Sequence, residues 1–455
     1  MCPLGNDNYQ HTKSTPASAK IFCKTLDKKV NPNEIICIFV ILYVICNFEI
    51  QLIVMRQIFT CIIVFLTLSL GSVTVSAQEG HSAGEVKQLT NDIRQRYAPD
   101  KRVAVFDIDF TADKHSVTLQ GKTTLPEAHS ALIEALRDKG YTVTDNITLL
   151  PNRKVHGETI YGIINISTCA LRSSADYSSE MVTQALLGMP VKIIERDGWY
   201  RIQTPDNYLA WTHRVGIHPV TLEELSVWNA AEKVIVTGHH GWVYATPKTD
   251  SDIISDVAGG CRLRYIGQKG KFYHVAYPDG REGYILKSIS ATESKWRASL
   301  KQDAESIIAT AKTLHGIPYL WGGTSAKGAD CSGFVRTTLF MHDIIIPRDA
   351  SQQAYTGEHI DIATDFSNLQ VGDLIFFGQK ATSTRKERVV HVGIYIGNKR
   401  FIHSQGDVRI SSFDKDDALF DSYNLGRLLF AARVLPYIDK EPQLNTTATN
   451  PYYKM

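Results

Sequence analysis

Cysteine is scarce beyond the first 61 residues of this sequence, and the scarcity excludes several kinds of protein. Five of the eight cysteines lie in that leading stretch, which leaves Cys169, Cys261 and Cys331 for the rest of the chain. None of these forms a C-x-x-C pair, and no His and Cys residues have zinc-site spacing, so no metal domain is expected. Cys169 and Cys261 are either buried thiols or paired with each other.

The sequence also lacks an excess of charge of either sign. Its formal net charge is +2 over 455 residues, which argues against a nucleic-acid-binding surface but does not exclude an acidic polymer as substrate. Hydrophobic residues make up 44% and charged residues 21% of the chain, as is typical of a globular protein. A chain of this length is expected to fold as two to four domains.

Apolar runs near the N-terminus indicate a leader. Residues 55–77, MRQIFTCIIVFLTLSLGSVTVSA, have the basic start, apolar middle and small-x-small end of a secretory signal peptide, which predicts cleavage before Gln78. A signal peptide does not normally begin so late, so residues 1–54 are expected to be a mis-assigned upstream segment; the alternative is a membrane helix near 34–54. We expect an exported protein without stable membrane insertion, in the periplasm rather than outside the cell.

The patterning after the leader predicts a small αβ module at residues 82–150. Alternating, strand-like runs flank a helical pattern that begins at Pro126 and ends at Gly140. No chemistry is indicated in this module, and we expect it to have a structural or docking role.

An internal repeat predicts two small β-barrels in the middle of the chain. WYRIQTPDNYLAW at 199–211 aligns on FYHVAYPDGREGYI at 272–285, and each copy has the pattern of two strands joined by a Pro-Asp turn. Turn residues separate short strand-like runs throughout this region, which is typical of small barrels. The pair resembles the bacterial SH3-like domains of cell-wall proteins, expected here at 158–222 and 230–292.

Residues 295–436 predict a final α+β domain. A helical pattern at 295–316 opens it, a second helix follows, and strand-like runs then predict an antiparallel sheet. The polar segment 437–455 is expected to be a disordered tail. The expected fold class is thus multidomain α+β, with an αβ module, two SH3-like β-barrels and a C-terminal papain-like catalytic domain.

The stretch GADCSGFVRTTLF places Cys331 at the start of a helix. Gly328, Ala329 and Asp330 break regular structure, and apolar residues recur at helical spacing from Phe334 onward. The free N–H groups and positive dipole at a helix N-terminus lower the pKa of a thiol, so this position suits a thiolate nucleophile. The alternative is a small buried residue, because free cysteine is among the most buried residue types.

Two histidines on neighbouring strand-like runs supply a candidate base and its partner. His391 lies in VVHVGIYIG and His403 in RFIHSQG, and the intervening NKR at 398–400 predicts a hairpin turn. A lone histidine there is more often a core residue. Two of them, downstream of a cysteine at a helix start, are typical of a papain-like arrangement.

Residues 300–436 resemble the NlpC-type family of cell-wall cysteine peptidases. The resemblance rests on six motifs in the family's order: PYLWGG (318–323), DCSGF (330–334), PRDASQQ (347–353), GDLIFF (372–377), HVGIYIG (391–397) and FIHSQG (401–406). It implies a triad in which Cys331 attacks, His391 transfers the proton and His403 orients His391. It also implies that the Tyr319 hydroxyl helps to hold the oxyanion, and that no metal or other cofactor is needed.

The domain order resembles a subgroup that trims muropeptides with a free N-terminal L-alanine. There, an acid and a tyrosine of the first barrel close over the substrate amine; the matching positions are Glu180 and Tyr208, although Ala210-Trp211 replaces the usual Gly-Trp pair. A buried ammonium needs a carboxylate partner. The substrate-binding residues implied are Glu180, Tyr208, Asp330, Ser332, Asp349, Ala350 and Ser351.

The expected reaction is hydrolysis of the amide between γ-D-glutamate and lysine or diaminopimelate in such muropeptides. One alternative is an amidase that cuts the muramoyl–L-alanine bond with the same Cys-His pair. Another is a non-catalytic wall-binding protein, and a third is a lipid-modifying acyl transferase, for which the mature chain offers no membrane-docking stretch. The sequence does not indicate an oligomeric state.

Overall fold

The computed structural model describes the chain from residue 79 to residue 455. The predicted signal peptide at 55–77 and the upstream segment at 1–54 therefore lie outside the described residues. Within the described part, no helix is both long enough and apolar enough to cross a membrane. Four successive groups of helices and strands make up this part.

The first group is a three-stranded sheet with two helices. Its elements are α1 (Glu79–Tyr97), β1 (Phe106–Ala112), β2 (Ser116–Thr123), α2 (Pro126–Asp138) and β3 (Thr142–Leu149). Strands β1 and β2 are antiparallel, whereas β2 and β3 are parallel because α2 carries the chain back between them. Ala128, Leu132 and Leu136 form the fully buried face of α2, and they pack in one cluster with Val117 and Leu119 of β2.

The second group is a seven-stranded antiparallel sheet after the short helix α3 (Arg153–His156). Its strands are β4 (Tyr161–Ile164), β5 (Thr168–Arg172), β6 (Met181–Leu186), β7 (Pro190–Asp197), β8 (Trp199–Gln203), β9 (Leu209–His213) and β10 (Ile217–Val220). They lie in the order β10-β4-β7-β8-β9-β5-β6. Because β6 and β9 are both antiparallel to β5, they run in the same direction. Glu180 and Tyr208 are the residues just before these two strands. They therefore lie at the same end of the strands.

The third group repeats this topology. Its elements are α4 (Leu222–Ala230), β11 (Lys233–Val236), β12 (His240–Tyr244), β13 (Ile253–Ala258), β14 (Arg262–Lys269), β15 (Phe272–Ala276), β16 (Glu282–Leu286) and β17 (Ser290–Thr292). The sheet order is β13-β12-β16-β15-β14-β11-β17. The predicted repeat is confirmed, because β8–β9 and β15–β16 are equivalent hairpins around Pro-Asp turns. One buried cluster extends through both sheets, so the two units share a core.

The fourth group places helices on one six-stranded antiparallel sheet. Its helices are α5 (Glu293–Ser299), α6 (Ala304–Thr313), α7 (Cys331–Phe340), α8 (Ala350–Gln353) and α9 (Ser422–Gly426). Its strands are β18 (Thr324–Ser325), β19 (Gly328–Ala329), β20 (Ile344–Ile345), β21 (Glu358–Ile360), β22 (Leu374–Gln379), β23 (Arg388–Gly397), β24 (Arg400–Gln405), β25 (Asp407–Ser412) and β26 (Leu428–Arg433). The sheet order is β21-β26-β22-β23-β24-β25, and α7 packs against β23 and β24.

The single helix expected at 295–316 is instead two helices. The chain leaves α5 after Ser299 and begins α6 at Ala304. The side chain of Asp303 accepts a hydrogen bond of 2.8 Å from the backbone N–H of Ser306. An aspartate that caps backbone N–H groups in this way begins a new helix, and the periodicity of the flanking residues concealed the break.

The expectation of a disordered tail at 437–455 is wrong. This segment forms β27 (Asn445–Thr446), which pairs with β20, and the terminal helix α10 (Pro451–Lys454). Tyr452 is 2% exposed, and its hydroxyl donates a hydrogen bond of 3.0 Å to Gln203 of β8. Asn450 donates one of 2.9 Å to the carbonyl of Pro205. A few buried aromatic and polar contacts hold the segment in place. Because these contacts leave no periodic pattern in the sequence, the sequence did not predict an ordered segment.

Candidate active site

Cys331 is the first residue of α7 and faces a cavity of about 370 Å³. The preceding Asp330 caps the helix, since its Oδ1 accepts a hydrogen bond of 2.7 Å from the N–H of Gly333. Its Oδ2 accepts a second, of 2.9 Å, from the N–H of Gly322. Cys331 is 8% exposed, so the sulfur lies in the wall of the cavity rather than on the open surface.

A buried arginine that the sequence argument did not assign holds this cap. The Arg348 guanidinium contacts both carboxylate oxygens of Asp330, at 2.5 and 3.2 Å, and donates to the hydroxyl of Ser332 at 2.9 Å. Burial opposes the charge of Arg348, yet Asp330 and Asp349 raise its pKa above the ordinary value. The carboxylate of Asp330 is thus already fully engaged within the protein. Arg348 lies inside the quoted motif PRDASQQ, which could have drawn attention to it.

The two histidines lie side by side on β23 and β24. Nε2 of His391 and Nδ1 of His403 are 2.8 Å apart and share a hydrogen bond. Nε2 of His403 lies 3.1 Å from the hydroxyl of Ser411 on β25, so three adjacent strands contribute to one line of hydrogen bonds. Both rings are buried. This arrangement leaves Nδ1 of His391 without a hydrogen bond among the described residues.

The sulfur of Cys331 lies against the strand that carries His391. Burial first, and then the charge of Asp330, raise the pKa of the Cys331 thiol to about 11, and the backbone N–H of Val392 on β23 lowers it by less. Burial, together with His403 and Arg427, holds the pKa of His391 well below its ordinary value. Burial thus favours a neutral thiol and a neutral imidazole at rest, and it acts against the thiolate that the helix terminus favours.

Tyr319 lines the same cavity as Cys331. Burial raises the pKa of Tyr319 above its ordinary value, and the charges of Cys331 and Asp330 in their ionised forms add to this effect. Its hydroxyl therefore stays protonated at neutral pH and remains a hydrogen-bond donor at the cavity wall.

The cavity brings together nine of the eleven residues predicted for the site. The two others, His391 and His403, are not among the residues that line it, although Val390, the residue before His391, is. The nine are Glu180, Tyr208, Tyr319, Asp330, Cys331, Ser332, Asp349, Ala350 and Ser351.

Glu180 carries a negative charge that no cation of the described chain neutralises. Its Oε1 accepts a hydrogen bond of 2.5 Å from the indole N–H of Trp321, and it makes no ion pair among the described residues. Trp321 belongs to the catalytic domain and Glu180 to the first seven-stranded sheet, so the contact closes one side of the cavity. The carboxylate remains available to a cationic group of a ligand.

The opposite side of the cavity contains a residue from the N-terminal module. Nη1 of Arg102 lies 2.7 Å from Oδ2 of Asp349 and 3.0 Å from the hydroxyl of Ser351. The hydroxyl of Tyr208 donates to the same Oδ2 at 3.3 Å. The expectation that the module carries no chemistry therefore needs correction, because Arg102 lines the candidate site. A lone arginine before a strand gives no signal in the sequence.

The other two thiols are structural. Cys169 and Cys261 are both free and buried, which excludes the pairing left open by the sequence. Cys169 lies 3.1 Å from the hydroxyl of Thr212, and Cys261 lies 3.2 Å from the carbonyl of Ser167. Burial raises the pKa of each thiol to about 11, and neither lines the cavity.

Two family models match this chain. The model described as "NlpC/P60 family" matches residues 316–421, which contain Cys331, His391 and His403. The model described as "Bacterial dipeptidyl-peptidase Sh3 domain" matches residues 171–214, which contain Glu180 and Tyr208.

Curated relatives and a solved structure are similar over a larger part. The chain is 32% identical over 234 residues to a protein of Bacillus cereus, and 40% identical over 231 residues to one of Bacillus subtilis. Both are named gamma-D-glutamyl-L-lysine dipeptidyl-peptidase; the matches cover 68% and 71% of their lengths, and 50% and 49% of this chain. A crystal structure of an NlpC/P60 family protein from Bacillus cereus matches with a TM-score of 0.52 and 25% identity, over 61% of this chain and 100% of that one.

Proposed function

The chain belongs to the NlpC/P60 family of cysteine peptidases, and we propose that it hydrolyses the amide between γ-D-glutamate and a diamino acid in peptidoglycan peptides that have a free N-terminal L-alanine. The names of the two Bacillus relatives specify lysine after the cut, and diaminopimelate belongs to the same substrate class. The products are the dipeptide L-Ala-γ-D-Glu and the shortened peptide.

In the proposed mechanism, Cys331 is the nucleophile and His391 the general base. Because both groups are neutral at rest, the thiol gives its proton to His391 as the sulfur attacks the carbonyl carbon. The imidazolium then returns this proton to the departing amine as the carbon–nitrogen bond breaks, which leaves a thioester. Water, deprotonated by His391, hydrolyses the thioester and restores the thiol.

His403 acts as the orienting partner in this proposal. Its hydrogen bond to His391 fixes the ring so that the other nitrogen is presented to the sulfur. Burial lowers the pKa of His403 to about 4, so it takes part as a neutral ring at pH 7. Ser411 in turn holds His403.

Tyr319 and the backbone N–H of Cys331 are proposed as the oxyanion donors. The protonated phenol of Tyr319 lines the cavity beside the sulfur, and the first N–H groups of α7 lack partners within the helix. Donors that are in place before the charge develops stabilise the tetrahedral intermediate.

The substrate amine is proposed to bind between Glu180 and Asp349, with Tyr208 beside them. The observation that carries this part of the proposal is the unpaired carboxylate of Glu180 in the same cavity as the thiol of Cys331. An ammonium group that enters a closed site must meet a carboxylate. Asp330, in contrast, is proposed to position the helix, since Arg348 and two N–H groups already occupy its oxygens. Ser332 and Ala350 complete the wall.

The proposal includes export. A signal sequence at residues 55–77 with cleavage before Gln78 would deliver the enzyme to the compartment that contains peptidoglycan, and we favour the periplasm. Mass analysis of the native protein tests this, and a peptide from before Met55 would contradict it.

The test of the function compares L-Ala-γ-D-Glu-L-Lys with its N-acetylated twin. We expect mass analysis to find L-Ala-γ-D-Glu, with kcat/KM at least about tenfold higher for the free amine, because hydrogen bonds between charged groups contribute about 1.5–3 kcal/mol and an N-acetyl group cannot make them with Glu180 and Asp349. Cys331→Ala should abolish turnover, and Glu180→Gln should remove the preference. Equal rates on both substrates would refute amine recognition, and cleavage of the acetyl–L-alanine amide of the twin would indicate an amidase.

A further inference from the structure

The segment between α1 and β1 joins the N-terminal module to the candidate active site. The carbonyl of Arg102 accepts a hydrogen bond of 2.7 Å from the N–H of Leu209, the residue after Tyr208. Asp100 accepts one of 2.8 Å from Gln352 of α8. The segment thus touches both the first seven-stranded sheet and the catalytic domain at the point where they meet.

The Arg102 guanidinium is held in one orientation. Its Nε and Nη2 donate to the carboxylate of Asp100 at 2.8 and 2.7 Å, which is a two-pronged contact. Its remaining nitrogen, Nη1, points to Asp349 and Ser351 in the cavity wall. Because the guanidinium group is planar, the contact with Asp100 also fixes the direction of Nη1.

Asp349 uses its two oxygens differently. Oδ2 accepts from Arg102 and from the hydroxyl of Tyr208, whereas Oδ1 lies 4.0 Å from Arg348. The side chain also caps α8 at the backbone N–H of Gln352, so Asp349 is held by several contacts of the protein. Three carboxylates and two guanidinium groups meet here, and this cluster of Asp100, Arg102, Asp330, Arg348 and Asp349 carries one net negative charge.

We propose that the N-terminal module forms part of the substrate site. In this proposal Arg102 is a positioning residue that orients Asp349 and Ser351 towards the N-terminal amine of the substrate. The inference rests on the proposed function and adds a specificity role for a module that precedes both family matches. Without Arg102, Asp349 is free to turn towards Arg348, and the repulsion between Asp100 and Asp349 is no longer offset.

Kinetics of Arg102→Ala test the proposal. We expect KM for L-Ala-γ-D-Glu-L-Lys to rise about tenfold or more, since a hydrogen bond between charged groups is lost, while kcat changes less than about twofold because Cys331 and His391 are untouched. The rate on the N-acetylated twin should not change, and Arg102→Lys should restore part of the loss.

The matched control removes another ion pair of the module. Lys122 pairs with Glu195 of the first seven-stranded sheet, away from the cavity. Lys122→Ala weakens docking of the module without touching Asp349, so both kinetic constants should stay at wild-type values. Equal effects of Lys122→Ala and Arg102→Ala would mean that the module only docks, and would overturn the proposal.

Binding and a double-mutant cycle separate this inference from the proposed function. Calorimetry on Cys331→Ala should show tripeptide binding that Arg102→Ala weakens about tenfold, whether or not the wild type cleaves it. If Arg102 acts through Asp349, the double variant Arg102→Ala/Asp349→Asn should be no worse than the more damaged single variant. Additive effects, or an unchanged Kd, would overturn the inference while leaving the peptidase activity standing.

Discussion

At the scale of single residues, burial rather than the helix terminus sets the protonation state of the site. The N-terminus of α7 favours a thiolate at Cys331, but desolvation and the adjacent Asp330 act in the opposite direction and are larger. The same burial lowers the pKa of His391. A neutral pair of this kind transfers its proton only as the substrate carbonyl is attacked.

The pH dependence of alkylation measures this state. Because only the thiolate reacts, and burial raises the pKa of Cys331 to about 11, we expect the rate with iodoacetamide to be low at pH 7 and to rise with pH until about pH 11. Cys331→Ala is the control and should remain unlabelled at neutral pH, since Cys169 and Cys261 are almost wholly buried. A rate that is already constant between pH 6 and pH 8 would contradict a neutral resting thiol.

At the scale of elements, the start of α7 depends on one buried ion pair. Asp330 caps the helix that presents Cys331, and Arg348 neutralises Asp330 from the loop before α8. Both side chains are almost fully buried, so water cannot solvate either charge if the pair is broken. The pair therefore connects the stability of the domain to the position of the nucleophile.

Arg348→Met should be strongly destabilising. Removing one partner leaves the buried carboxylate of Asp330 uncompensated, which costs about 3–5 kcal/mol of unfolding free energy in urea titrations. Asp330→Asn in the same chain should recover part of the loss, because the charge is then absent. Arg153→Ala breaks an exposed pair with Glu158 and should change little. A small effect of Arg348→Met alone would show that the pair does not hold the cap.

At the scale of the whole molecule, the candidate site lies where three parts of the chain meet. The catalytic domain contributes Cys331 and Asp349, the first seven-stranded sheet contributes Glu180 and Tyr208, and the N-terminal module contributes Arg102. The C-terminal segment connects the catalytic domain to that sheet through Tyr452 and Gln203. The proposed recognition of a substrate amine thus depends on how these parts dock.

Tyr452→Ala should weaken this docking. Deleting a ring that is 2% exposed creates a cavity, and we expect a loss of about 3 kcal/mol in unfolding free energy, seen as a lower Tm. Tyr355→Ala removes a ring that is 86% exposed and should leave Tm nearly unchanged. If Tyr452→Ala behaves like Tyr355→Ala, the C-terminal segment does not stabilise the assembly.

The local patterns were sufficient for most of the elements and for the family of the catalytic domain. Periodicity predicted α2 and α7, and the repeat predicted the equivalent hairpins β8–β9 and β15–β16. These predictions succeed because helices and hairpins depend on residues close together in the chain. Asp303, a capping residue inside a helical pattern, is the local signal that was missed.

Such local patterns could not predict contacts between distant parts of the chain. Arg102 is far from Asp349 in sequence, and nothing in its neighbours indicates that the two meet at 2.7 Å. The order of the C-terminal segment and the raised pKa of Cys331 have the same origin, because both follow from burial that many separate segments create together. The amino acids alone therefore predict the reactive groups, while the burial of the thiol and the contribution of Arg102 to the cavity follow from packing between distant segments.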